Sequence, residues 1–297
     1  RVSLCFFLTL RSQAKHYAKV TERVLLTVEY TPGKAERQLY ELLYAYINQP
    51  EKRAFPEMNQ YDLALRLLGL LGSSTAAILQ TIKGIVKRLQ GLENAADELS
   101  QWQEIQTAAE SIPQDAKAGE LLTVLKQGFS LMKKTGAKQK AVIFTESVET
   151  QKMLQNLLSD RYRTLAYNGS ADYSVIRQFK EDGEVLISTD NGAKGFNLEE
   201  AAFIIHYDLP YNTLKLEQRI DRCHRLGQEN DVLSVAFIDK NNFADVRKLE
   251  LVNKRMLVTD GVFGITDDVL GGFTDDVKAA FPVIAQRLRP RAQIEQA

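Results

Sequence analysis

The segment Gln218-Arg-Ile-Asp-Arg-Cys-His-Arg-Leu-Gly-Gln228 gathers cationic residues at helical spacing. Asp208-Leu-Pro-Tyr-Asn212 leads into it, so Asn212 is placed to cap a helix and Gly227 to end it. On that helix Leu216, Ile220 and Cys223 form one apolar stripe, while Gln218, Arg219, Arg222 and Arg225 fall on the other side. Three guanidiniums on one face have two readings. Periodicity alone favours a solvated basic surface, the usual fate of charges on an amphipathic helix. The sharper reading is phosphate recognition, because planar guanidinium forks match phosphoryl oxygens and stabilise charge that develops during transfer.

A second polar constellation lies upstream, in Val185-Leu-Ile-Ser-Thr-Asp-Asn-Gly-Ala-Lys-Gly-Phe-Asn-Leu198. An apolar strand here ends in hydroxyls, a carboxylate and spaced glycines. Gly192 and Gly195 let the backbone approach a phosphate or sugar closely, and Ser188, Thr189 and Asn197 offer short polar contacts. A glycine-rich loop after a strand is weak evidence by itself.

The elements that must position these residues are legible in the apolar pattern. Runs at 141–145, 163–167, 184–188, 202–206 and 232–238 alternate with helical stretches. Runs apolar on both faces and separated by helices predict an α/β fold, a parallel sheet covered on both sides, with binding groups just past the carboxyl ends of the strands. Before them, Asp62 to Leu92 carries two leucine- and isoleucine-rich stripes broken at Gly72-Ser-Ser74, the pattern of a helical hairpin. The β-prone run Val24 to Tyr30 and the helix that follows read as the end of something earlier, and the polar stretch from Glu93 to Asp115, with Trp102 and Pro113, reads as a boundary.

Together the two polar segments resemble motifs V and VI of superfamily 2 motors, in the form typical of Swi/Snf-type ATPases, including the bacterial RapA (HepA) group. Ala141-Val-Ile-Phe-Thr-Glu146 looks like motif IV, and Tyr167-Asn-Gly-Ser170 like the phosphate-contact motif after it. The resemblance runs from about Lys117 to Asp239. It implies a RecA-like C-terminal lobe at 116–255, preceded by the exit from a first motor lobe with its linker at 1–50 and a protrusion-like helical region at 51–115, and followed by a brace or tail at 256–297. It also implies residue roles. Arg222 and Arg225 match the arginine fingers that reach ATP phosphates across the cleft, and Asn197 falls at a ribose contact. Gly192 and Gly195 match the motif V turn, and Gln218 the motif VI glutamine. Phe144, Thr145, Asn168, Gly169, Ser188 and Thr189 match positions that line a duplex-DNA track and hold its phosphates, contacts that position and do not specify. Asp221 and His224 are read as local structure. Two departures bear on the DNA contacts: Lys194 stands where many relatives carry other residues, and the stretch from Asn168 to Phe179 is short.

Bulk properties constrain the reading without deciding it. Among 297 residues, 38 basic and 38 acidic side chains balance, so nucleic-acid binding has to come from local arrangement and not from net charge. Cys5 and Cys223 make neither a disulfide framework nor a zinc spacing. The apolar start, Val2 to Leu10, reads as a fragment edge, with a short signal peptide as the alternative, no other run approaches the ~20 residues needed to span a bilayer, and a bacterial cytoplasmic, nucleoid-associated location is expected. A complete motor needs a GxxxxGK[ST] phosphate loop and an acidic metal motif on a strand. Gly33-Lys34 is followed by Ala35, and Asp97-Glu98 follows no apolar strand, so neither motif is met. The expectation is a second lobe that shares ATP and Mg²⁺ with a first lobe, acts on double-stranded DNA and is silent alone. The alternatives are a non-catalytic RecA-like module that binds DNA or protein, and a Rossmann methyltransferase, which leaves the arginines unexplained and puts the glycine loop after the wrong strand.

Overall fold

The five apolar runs become strands β2 (Ala141–Thr145), β3 (Thr164–Tyr167), β4 (Val185–Thr189), β5 (Phe203–His206) and β6 (Val232–Ile238), each within one residue of its expected limits. The computed structural model describes residues 21–169, 173–190, 196–225, 227–252 and 272–294. Within them two more strands, β1 (Arg23–Glu29) and β7 (Gly272–Thr274), extend the sheet in the order β3-β4-β2-β5-β6-β1-β7. Every pairing is parallel.

Strand β1 departs from the sequence reading. The run that looked like the close of a preceding unit pairs along its length with β6, from Arg23 opposite Val232 to Glu29 opposite Ile238. Its physical reason is burial on both faces: Val24 to Val28 are all buried, and such a strand is stable only inside a covered sheet.

Helices cover both faces. On one, Leu26, Ile143, Ile187 and Ile205 pack against α5 (Ala116–Thr135), α6 (Val148–Leu158) and α9 (Val277–Arg287). On the other, Val142, Phe144, Leu186 and Ile204 meet α7 (Ser174–Glu181) and α8 (Thr213–Cys223). A separate core belongs to α1 (Lys34–Ile47), α2 (Gln60–Ser73), α3 (Thr75–Leu89) and α4 (Ala96–Glu110). The expected break between the leucine-rich helices is a single residue: Ser74 closes α2, and its side chain accepts from the Ala77 N–H to cap α3. The polar stretch read as a boundary contains α4, whose Trp102 is fully buried edge-on to Tyr46, ring centroids 4.6 Å apart. No helix among the described residues is long and apolar enough to cross a membrane. The segment 256–270, Leu10 to Ser12 and Cys5 lie outside the described residues.

Helix α5 comes close to the sheet at Gly128, where an added Cβ would lie 2.1 Å from the buried Phe203 ring. Gly128→Ala should therefore destabilise by about 1–3 kcal/mol through overpacking. Gly84 of α3 has open space around the same position, so Gly84→Ala should stabilise by roughly 0.5–1 kcal/mol through helix propensity. Thermal denaturation of the two variants checks the contrast, and equal effects would place the α5–β5 contact elsewhere.

Candidate functional site

Beyond the carboxyl ends of β2 and β5 lies a buried carboxylate, Asp208, held from several directions. One oxygen accepts from the Ser73 hydroxyl at 3.0 Å, the Glu146 N–H at 2.9 Å and the Thr145 hydroxyl. Its other oxygen lies 3.3 Å from the buried Lys117 ammonium, which also donates to the Tyr207 carbonyl at 3.0 Å and the Gly72 carbonyl, and stands 4.0 Å from the centre of the Tyr207 ring. Burial pushes the Asp208 pKa up, but Lys117, Lys248 and these hydrogen bonds outweigh it, and the carboxyl titrates below the usual range. At the same edge, past β1 and β6, a cavity of about 380 Å³ is lined by Tyr30, Glu36, Tyr40, Leu71 and Asp239 among others. There the balance reverses: burial, with Asp245 and Glu36 adding, pushes Asp239 up to about 6.

Helix α8 begins as expected, with the Asn212 side chain accepting from the Leu214 N–H. It ends at Cys223, a turn before Gly227, because the His224 ring is drawn toward β1. Gly227 does take the left-handed backbone (φ 101°) that closes the turn after it. The expectation of three guanidiniums on one solvated face needs correction. Arg219 is only 2% exposed, beside the buried Leu216, Ile220 and Cys223. Its Nε donates to Asp190 at 2.7 Å and one terminal nitrogen to the Asp208 carbonyl at 2.6 Å, while its guanidinium lies over the Phe144 ring at 5.6 Å. Spacing could have shown this, since 216, 219, 220 and 223 share one helical stripe.

Arg222 and Arg225 differ from Arg219 in not being buried. Arg222 is half-buried, and its carbonyl accepts from the Leu198 N–H at 2.8 Å; Arg225 is exposed and donates to the side chain of Asn197, also exposed. Gln218 is exposed on the same helix. The structure thus brings Arg225 together with Asn197, from segments the sequence had joined only by resemblance. Gly192 and Gly195 lie outside the described residues.

The six residues matched to a DNA track divide. Asn168 is half-buried and Gly169 exposed, with φ 90°. Phe144 and Thr145 pair in register with Ser188 and Thr189, and all four side chains are buried. Thr145 serves Asp208, the Ser188 hydroxyl donates to the Thr189 carbonyl at 3.1 Å, and Phe144 lies under Arg219 and stacks on His206. In this structure the four side chains are thus turned to the interior, three of them onto the protein's own groups.

Sequence reading missed the partners of α8. Arg23 of β1 contacts Glu217, Asp221 and His224, residues about 200 positions away, for which no local pattern gives a signal.

Residues 120–227 match the family described as the helicase conserved C-terminal domain. Over 204 residues, 67% of its length, the chain is 32% identical to the uncharacterized ATP-dependent helicase YqhH of Bacillus subtilis, covering 34% of that protein. Over 186 residues, 60% of its length, it is 27% identical to the RNA polymerase-associated protein RapA of Vibrio vulnificus, covering 17% of it. The chain thus spans about a third or less of the relatives it matches. Among solved structures, the C-terminal part of the Fun30 ATPase domain superposes with a TM-score of 0.52 at 15% identity, covering 90% of this chain and 98% of that one, a likeness of fold.

The two titrating carboxylates give opposite pH signatures. Asp208 has a folded pKa below its unfolded value, so its contribution is present above about pH 4 and fades as pH falls further. Removing its charge leaves Lys117 buried with a weakened partner, and Asp208→Asn should cost about 3–5 kcal/mol at pH 7.5, less in acid. Asp239 has a raised folded pKa, so its contribution is present below about pH 4 and is lost as pH rises through about 6. Asp239→Asn should accordingly stabilise at pH 7.5 and change little at pH 4. Urea denaturation of the variants from pH 3.5 to 8 reads both signs, and parallel curves for wild type and variants would refute the assignment.

Proposed function

This chain belongs to the Swi/Snf-type superfamily 2 helicases, whose conserved C-terminal domain it carries, and on that premise we propose that it is the second lobe of an ATP-dependent translocase or remodeller of double-stranded DNA. The observation that carries this reading is the pairing of Arg225 with Asn197, beside Arg222, at the exposed end of a helix whose other face is locked into the core.

Arg222 and Arg225 are the arginine fingers. Arg222 stands on the last turn of α8 and Arg225 in the turn after it, so each guanidinium adds positive charge to the phosphates without reorganising when the lobes close. Asn197 and Gln218 orient the nucleotide from the same side, and the resemblance assigns Gly192 and Gly195 to the same nucleotide. The duplex is held through its phosphates by Asn168 and Gly169 and by backbone groups past β2 and β4. Phe144, Thr145, Ser188 and Thr189 shape that surface from beneath.

Mg²⁺ would come with the ATP and be held by residues of a first lobe, and it would supply positive charge to the phosphates. With no GxxxxGK[ST] sequence in its 297 residues, this chain is silent alone and works with a first RecA-like lobe, in the same polypeptide or a separate one. Its place is the bacterial cytoplasm, on the nucleoid.

Phosphate release from ATP, measured with and without duplex DNA and with and without a first lobe, tests the proposal. Expected are no turnover by the chain alone and DNA-stimulated turnover with the first lobe. Arg222→Ala and Arg225→Ala should each lower kcat by about a thousandfold, with melting temperature unchanged. DNA-stimulated turnover by the chain alone, or wild-type kcat in both variants, would defeat it, and DNA binding without turnover in the two-lobed protein would favour the non-catalytic module.

A further inference from the structure

The turn that carries Arg225 is anchored from two directions. On one side the buried Gln228 amide donates to the carbonyls of Cys223, Glu199 and Ala201 at 3.1, 3.0 and 3.2 Å. On the other side stand Thr21 and Arg23. The Arg23 side chain is 7% exposed and applies all three of its nitrogens to α8: Nε donates to His224 Nδ1 at 2.7 Å, and the terminal nitrogens reach Glu217 and Asp221 at 2.9 Å each. Residues 217, 221 and 224 lie on one helical face, so a single planar fork grips the last two turns.

This grip dictates a protonation state. A guanidinium has no acceptor and stays protonated, so the His224 Nδ1 it meets must present a lone pair. The ring proton is then on Nε2, which donates to the Thr21 carbonyl at 2.8 Å. The His224 N–H meanwhile donates to the Ile220 carbonyl at 2.8 Å and closes the helix. A second ring proton would set Nδ1–H against Arg23 Nε–H. Among the described residues, the charged groups on the segments that meet the ring include Glu22 just before β1, Arg23 on β1, Glu217, Asp221, Arg222 and Arg225 on and after α8, and Asp231, bound by Arg289, just before β6. Glu217 and Asp221, which would favour the imidazolium, are engaged by Arg23.

We propose that Arg23 is a positioning residue for Arg222 and Arg225: by holding His224 neutral with its proton on Nε2, it locks the end of α8 and the direction in which both arginines project. This rests on the reading of those arginines as fingers. It implies that turnover fails in acid through kcat, because protonating His224 releases the turn, and that lysine cannot replace Arg23, since one ammonium cannot make the three contacts.

Two measurements test it. In the chain alone, ¹⁵N spectra of the histidine ring should show the Nε2–H tautomer of His224 at pH 7.5, and Arg23→Gln should mix the tautomers and loosen the Nε–H groups of Arg222 and Arg225. An imidazolium or Nδ1–H form in wild type, or unchanged arginine order in the variant, would overturn the proposal.

In the two-lobed protein, Arg23→Gln and Arg23→Lys should lower kcat by about tenfold or more with KM for ATP within about twofold. His224→Gln, whose carbonyl accepts and whose amide donates in the same places with no proton to gain, should remove the acid limb of the kcat profile. Wild-type kcat in both Arg23 variants, or an acid limb that survives in His224→Gln, would overturn it. No turnover in the wild-type two-lobed protein would sink the ATPase reading instead, and the spectra would still decide the clasp.

Discussion

The structure turns on the need to satisfy one buried carboxylate. A bare carboxylate in a protein interior costs several kcal/mol even after relaxation, and Asp208 is bearable only with all its partners in place. Those partners come from the end of α2 (Ser73), from α5 (Lys117) and from the end of β2 (Thr145 and the Glu146 N–H). Its own carbonyl accepts from Arg219 of α8. One residue therefore ties the helical unit, the sheet and the arginine-bearing helix to each other, and none of the three can shift without exposing an uncompensated charge. The junction also explains its small residues. A Cβ at Gly72 would lie 3.0 Å from an Asp245 oxygen and 3.2 Å from the Asn242 amide, so a larger residue there would require those side chains to shift.

From Asp208 the constraint passes to Arg219 and divides the labour among the arginines of α8. Arg219 is interior, fixed by Asp190, the Asp208 carbonyl and the face of Phe144. The stack continues through Phe144 to His206, whose Nε2 lies 3.0 Å from the Ser234 hydroxyl and which burial, helped by Arg219, holds well below its usual pKa. A spine thus runs from the Arg219–Asp190 pair through Phe144 to the neutral His206 imidazole. Arg222 and Arg225 then emerge from a helix that cannot roll, because rolling it would pull Arg219 out of this spine.

Residue pattern alone revealed the central strands, since a run apolar on both faces has few alternatives to a covered parallel sheet. It revealed the helical hairpin and the Asn212 cap for the same reason: each is decided locally. What it could not reveal was decided at long range. Val24 to Val28 gave no hint that their partner begins at Val232. Ser188, Thr189 and Thr145 looked like ligand groups because hydroxyls at strand ends often are, and only the position of Ser73 and Asp208 shows that Thr145 is an interior donor. Arg219 was misplaced by its charge, although its spacing from Leu216 and Cys223 put it on the buried stripe. Trp102 sits in a polar stretch with a weak apolar stripe, so its role as the anchor of the helical core became visible only beside Tyr46.

Balanced charge fits this division. With 38 residues of each sign, no long-range field draws anions to the lobe, and on the proposed reading recognition depends on holding a few cations rigidly where an anion will arrive. A guanidinium on a loose turn loses side-chain freedom on binding, whereas one projecting from a locked turn has already lost it during folding. The turn after α8 carries locks of both kinds available to a polar interior: the Gln228 amide gripping three carbonyls, and the Arg23 fork gripping one helical face. The first is neutral and insensitive to pH between 4 and 9, because an amide does not titrate there. The second includes His224, a group whose ordinary pKa lies in the physiological range. A turn held by the amide alone would be rigid at every pH, so the imidazole is the element through which acidity can reach Arg222 and Arg225 while the rest of the lobe, fixed through Asp208, stays folded.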